Sequence, residues 1–192
     1  NGVNNSYTDS SASAHTITRN GETNQVAYSP YRHGGYSTYF NGNGDYLAVA
    51  SSGDFNVSSG AWTAEAWVYS TGWTTPISQH VFSSFASSTN RSSLYYNSTA
   101  AEITYWSNGS PRIEGVSLNA NQWYHIALVS DGTTTTLYVD GSSAGTTTHT
   151  QHDSNMAIYV GTAWNGAGET SGYMDGYISD FRFVKGTAIT PS

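Results

Sequence analysis

Carboxylates are the first side chains to ask about chemistry, because the chain carries thirteen acids against five arginines and one lysine. Retaining glycoside hydrolysis needs two carboxyl groups about 5 Å apart, one to protonate the leaving group and one to attack. Glu65 is followed by Ala66 and Trp67, Glu102 by Ile103 and Thr104, and Glu114 by Gly115 and Val116. None of these glutamates therefore has an acidic partner on its own strand face, and only a cross-strand pair could do hydrolase work. The absence of cysteine excludes thiol catalysis and leaves the redox compartment open. Gly141-Ser142-Ser143-Ala144-Gly145 matches G-x-S-x-G, but it follows an Asp-Gly hairpin signal rather than joining a strand to a helix, so no nucleophile elbow is expected. His149-Thr150-Gln151-His152-Asp153 could ligate a transition metal if it curled. Its three-residue spacing suits a helix, whereas an extended loop is expected here, and a solvated turn is the plainer reading.

Aromatic residues offer binding chemistry. An indole stacks on the apolar face of a sugar ring, and amides or carboxylates nearby accept and donate to its hydroxyls. Trp73, Trp106 and Trp164 fall in or beside Gly/Asn/Ser-rich turns, and Trp164 is followed by Asn165 and, four residues on, Glu169. These five residues are the expected ligand-binding set, the alternative being tryptophans that fold back as plugs over the ends of the fold. Trp62, Trp67 and Trp123 sit within strand-like runs and are assigned to the core, as is His125 as a hydrogen-bonded core histidine.

Composition narrows the partners. Net charge is −7 and charged residues make up 10% of the chain, so it lacks the basic patch that phosphate binding requires. Neither nucleic acid nor an acidic membrane is an expected partner. No run of 18 apolar residues and no basic-then-apolar leader occurs. The N-x-[ST] triplets at Asn4, Asn56, Asn90, Asn97 and Asn108 are expected by chance in so Asn- and Ser-rich a chain.

The elements that must position these side chains read as strands throughout. Short runs of β-branched and aromatic residues are separated by Gly, Asn, Asp and Ser clusters, and no stretch carries a 3.6-residue apolar period. About a dozen such runs predict two packed antiparallel sheets. Asp140-Gly141 predicts a type I′ hairpin after Leu137-Tyr138-Val139. Trp123–Val129, apolar on both faces, suits a central strand. Residues 1–13 are expected to be a tail or linker, 14–186 the sandwich and 187–192 a second tail, and the chain is read as a piece of a longer modular protein or a processed product.

The order F-x-G-x-G-D-Y-L (from Phe40), W-T-x-E-A-W-V (from Trp62), W-Y-H-x-A-L-V (from Trp123), L-Y-V-D-G (from Leu137) and G-Y-I-S-D-F-R (from Gly176) resembles the laminin-G-like, concanavalin A-like jelly-roll family, over about residues 9 to 186. The resemblance implies an all-β antiparallel sandwich. It also implies a structural calcium ion near the rim, for which Asn41, Asn43, Asp45, Asp175 and Asp180 are the oxygen donors on offer. The first segment, Asp9 to Phe40, and the closing Phe181-Arg182-Phe183-Val184-Lys185-Gly186-Thr187-Ala188 resemble laminin-G-like domains in structural proteins of marine bacteriophages and in bacterial adhesins. That resemblance implies display on a virion or cell surface among other subunits. Two functions follow as expectations: a non-catalytic module that binds glycan or a surface protein, or a purely structural virion domain such as capsid decoration or tail fibre. Glycan hydrolysis is a third, less favoured one.

Overall fold

In a computed structural model of the chain, the described residues are 6–31, 34–58, 60–73, 78–87, 89–148, 155–164 and 170–191. They form sixteen strands and a single 3-10 turn, Gly53–Phe55. In chain order the strands are β1 (Ile17–Asn20), β2 (Asn24–Val26), β3 (Ser37–Asn41), β4 (Tyr46–Ser52), β5 (Trp62–Ser70), β6 (Gln79–Phe85), β7 (Arg91–Asn97) and β8 (Glu102–Ser107). There follow β9 (Ser110–Glu114), β10 (Trp123–Ser130), β11 (Thr135–Val139), β12 (Ser142–Thr147), β13 (Met156–Val160), β14 (Ala163–Trp164), β15 (Thr170–Ser171) and β16 (Asp175–Lys185). Two seven-stranded antiparallel sheets face each other. Sheet A runs β1-β4-β13-β6-β7-β8-β9 and sheet B runs β12-β11-β10-β5-β16-β3-β2, with the β14/β15 hairpin as a small third sheet.

Alternation of side chains along each strand builds the core between the sheets. On β5, Trp62, Ala64, Ala66 and Val68 point inward and are buried, and on β10 Tyr124, Ile126 and Leu128 do the same. Leu47, Phe82, Leu94, Ile103, Tyr105 and Ile158 meet them from sheet A. Small alanines on β5 leave room for the larger residues opposite, so the layers interdigitate. Leu128 is fully buried, and truncating it to alanine would cost about 2–5 kcal/mol through lost transfer energy and a residual cavity.

The hairpin signal at Asp140-Gly141 holds: both residues have positive φ, 47° and 75°, and β11 pairs antiparallel with β12 across them. A type I′ turn requires that left-handed backbone at both positions, which glycine adopts without a Cβ penalty. The two segments expected as tails are tied to the sandwich where described. Tyr7 packs against the core, and Asp9 accepts from the backbone N–H groups of Ser11 and His15. At the other end Thr63 Oγ1 donates to the Thr187 carbonyl and accepts from the Ile189 N–H. Among the described residues no helix is long and apolar enough to cross a membrane.

Candidate functional site

Register across sheet A places four side chains in one outward-facing row. Tyr159 on β13 pairs with Ser83 on β6, Ser83 with Ser93 on β7, and Ser93 with Trp106 on β8. Strands lie about 4.8 Å apart, so the two aromatic ends stand about 14 Å from each other with two small residues between them. The result is a trough with a serine floor. Its volume is about 260 Å³, at the small end for a ligand pocket and suited to a sugar unit rather than a large organic molecule.

The β14/β15 hairpin supplies one wall. Ser83 Oγ donates to the Thr162 carbonyl at 2.9 Å, and Thr162 Oγ1 donates to the Ser171 carbonyl at 2.9 Å, which pins the hairpin over β6. Trp164 then lies parallel to Tyr159, with ring centroids 5.6 Å apart and an interplanar angle of 3°. One face of its indole is thereby backed. Trp106 forms the opposite wall, with the Arg91 guanidinium 4.9 Å from its ring centroid as a cation–π lid on one face. Both walls are held by stacking before any ligand arrives, which lowers the ordering cost of binding.

His80 and Tyr95 close the trough's end. They are register partners, stacked at 4.9 Å, and His80 Nδ1 lies 3.0 Å from Ser93 Oγ. Burial pushes the His80 imidazole down to about 3, so it stays neutral in the physiological range. Gly172 borders it in a left-handed conformation (φ 63°), where a Cβ would stand 2.4 Å from the His80 ring. Glycine is thus required for the chain to pass this closely.

Sheet B presents a different outer surface. Tyr39, Tyr177, Tyr69 and Trp123 are consecutive in its cross-strand row, and Tyr28 lies over three of them with centroid distances of 4.8 to 5.6 Å. Burial followed by the neighbouring Tyr69 raises the Tyr28 phenol to about 12. Beside this cluster Trp67 packs 5.2 Å from His125, and Glu65 Oε1 accepts from Arg182 while its Oε2 sits 3.7 Å from His125 Nε2. A shallow groove of about 640 Å³ runs past Glu65, Trp67, His125 and Asp140.

Of the five residues expected to bind ligand, Trp106 and Trp164 come together in the sheet A trough. Trp73 does not. It is 1% exposed, stacks on Tyr96 at 4.8 Å and donates its Nε1–H to the Asn119 carbonyl, so it is a plug at the end of the core. Its side chain is held inward because burying an indole with its one donor satisfied outweighs leaving it in solvent. Asn165 and Glu169 lie outside the described residues, as does the His149–Asp153 cluster. The core assignment holds for Trp62 but is corrected for Trp67, Trp123 and His125, which alternate to the outer face of sheet B and are only partly buried.

The five oxygen donors offered for calcium do not gather as one set. Asp45 is buried and spends Oδ1 on the Glu22 N–H and Oδ2 on the Asn41 N–H, while Asn41 Oδ1 accepts from the Asn43 N–H. Asp175 is the register partner of Asn41 and stands beside this turn. Asp180 is elsewhere, at the β16 bulge, where it accepts from the Tyr31 hydroxyl at 2.7 Å rather than pairing with Arg182. Among the described residues no group of three or more His, Cys, Asp or Glu could hold a metal. Sequence reasoning missed Ser83, Ser93, Tyr95, His80 and Arg91. The period-2 run Arg91, Ser93, Tyr95 on one strand face is the signal that could have found three of them.

Two packed seven-stranded sheets agree with the family match, which spans residues 41–192. The chain belongs to the concanavalin A-like lectin/glucanases superfamily. Among solved structures, this superfamily member is similar to domain 4 of AbnA, an extracellular GH43 arabinanase from Geobacillus stearothermophilus, in complex with arabinotriose. The identity there is 20%, over 92% of this chain and 84% of that one, with a TM-score of 0.71. It is also similar to the binding domain of botulinum neurotoxin DC, in complex with rat synaptotagmin II (12% identity, TM-score 0.70, 97% of this chain) and with SialylT (12%, 0.69, 96% of this chain). The chain spans 46% of each neurotoxin structure. At these identities the likeness is one of fold. No curated protein sequence matches the chain.

Proposed function

We propose that this member of the superfamily is a non-catalytic glycan-recognition module, displayed on a virion or cell surface outside the cell and serving adhesion. One observation carries the reading: register and the β14/β15 hairpin bring Trp106 and Trp164 to opposite sides of a small serine-floored trough. Two fixed indole faces across a polar floor match a sugar's apolar ring faces and equatorial hydroxyls. The arabinotriose complex of a similar domain supports the same class of ligand. Many copies on one particle would convert weak single-site binding into strong attachment through effective concentration.

The non-catalytic reading is supported by the absence of any carboxylate among the described residues that line the trough. Glu65 does line the sheet B groove with Asp140, but its carboxylate is engaged by Arg182 and Asp140 Oδ1 accepts from the His125 N–H at 2.8 Å. A glycan array probed with the multivalently displayed domain, beside a Trp164→Ala variant, tests the proposal. Binding that the variant loses supports recognition, and silence from a folded sample overturns it.

A second reading, a structural virion domain contacting neighbouring subunits, is favoured by Tyr28, Tyr31 and Tyr36, exposed at 40%, 50% and 66%. All three belong to the segment that lies against the outer face of sheet B. Exposed aromatics grouped in this way suit a protein contact.

A further inference from the structure

The trough carries one positive charge that nothing among the described residues answers. Arg19 donates to the Thr23 carbonyl, Arg112 to the Ser107 carbonyl, Arg182 to Glu65 and Lys185 to the Gly53 carbonyl. Arg91 alone among the described cations has neither an ion pair nor an acceptor, and its Nε is buried without a hydrogen-bond partner. It is instead held by stacking on Trp106, within the trough wall.

This is unexpected in so acidic a chain. The chain has thirteen carboxylates, and burying a charge unpaired is costly. The trough is nevertheless free of carboxylates among its described lining residues, and its other polar groups are neutral: Ser83, Ser93 and an imidazole kept uncharged by burial. Glu102 and Glu114 reach Tyr95 only through their long-range field and do not line the trough.

We infer that the trough selects acidic sugars, with the Arg91 guanidinium receiving a ligand carboxylate while Trp106 and Trp164 flank the ring. A planar carboxylate fits the guanidinium fork with two parallel N–H···O bonds, and pairing there answers the unneutralised charge. Selectivity arises from this difference: a neutral sugar leaves the cation unpaired, whereas an acidic one satisfies it. The inference rests on the glycan-recognition reading and names the class of sugar at that same site.

The test is calorimetric titration of the full chain with two matched pairs, trigalacturonate against its methyl ester and sialyllactose against lactose, at low and at physiological salt. At least one acidic member is expected to bind about tenfold or more tighter than its neutral counterpart, with the gap narrowing as salt rises. Arg91→Gln should erase the gap, and Arg91→Lys, which keeps the charge but not the fork, should keep part of it. Thermal melts of both variants establish that the trough walls still fold. Equal binding of acidic and neutral members, binding confined to neutral glycans, or a gap that survives in Arg91→Gln overturns the inference while leaving glycan recognition standing. Silence of every glycan, neutral ones included, overturns both.

Discussion

The two outer faces of the sandwich are built from the same sheet geometry and end up with opposite surfaces. Across sheet A the central row reads Tyr159, Ser83, Ser93, Trp106, and across sheet B it reads Tyr39, Tyr177, Tyr69, Trp123. Large side chains at the ends with small ones between leave a trough. Large side chains at every position fill the same space, and Tyr28 then covers them. The size of the residues on two middle strands, rather than the fold, therefore decides whether the centre of a face is a trough or a filled cluster. This is also why a shared superfamily says little about where its members bind.

Four experiments break or sharpen this contrast. The largest effect is expected on sheet A: Trp164→Ala should weaken glycan binding at least about thirtyfold, roughly 2 kcal/mol, with the unfolding midpoint nearly unchanged. Ser93→Phe, which gives sheet A the bulk that sheet B already has, should abolish binding in the same titration. Trp67→Ala on sheet B should leave affinity intact, and an equal loss there would reverse the assignment of the two faces.

Next in size is a pH effect confined to the trough. The folded pKa of His80 lies near 3, below its unfolded value near 6.5, so the unfolded chain binds the extra proton first. The associated stability is fully present above pH 6.5 and is lost as pH falls toward 3, with a limiting slope of about 1.4 kcal/mol per pH unit. Denaturant titrations at stepped pH should show this slope, and His80→Gln should flatten it.

Sheet B should answer in stability rather than binding. Tyr28→Ala removes ring contacts with Tyr69, Trp123 and Tyr177, and is expected to cost about 1–2 kcal/mol, or roughly 3–6 °C in a domain this size. A Tyr28→Ala protein that melted normally would mean that the cluster is a free platform rather than a filled one.

The smallest expected effect concerns calcium. Asp45 is already occupied by two backbone donors, and Asp180 stands apart with Tyr31, so chelation is expected to shift the melting temperature by less than about 1 °C. A bound ion at 100 times its dissociation constant would contribute about 2.7 kcal/mol, and a drop of several degrees on chelation would restore a site at the Asn41–Asp45 turn beside Asp175.

Much of this was legible from local pattern, and the limits of that pattern are physical. Asp140-Gly141 announced its hairpin because only a left-handed pair closes a two-residue turn, and the strands announced themselves by β-branched and aromatic runs. Trp106 and Trp164 were recognisable as binding candidates because indoles beside turns are poorly placed to be core. Trp73 had the same surroundings and is buried, since nothing local records that the Asn119 carbonyl and Tyr96 wait beneath it.

The sequence by itself determined the two-sheet fold, the acidic and neutral-polar surface and the absence of thiol chemistry, because period-2 alternation and composition act residue by residue. Only the tertiary structure decided which side of each strand faces out and which strands stand side by side. Ser83 and Tyr159 are 76 residues apart in the chain and neighbours in the trough. Register between such distant strands is set by the packing of the whole core, since a slip of one residue would turn every outward side chain inward.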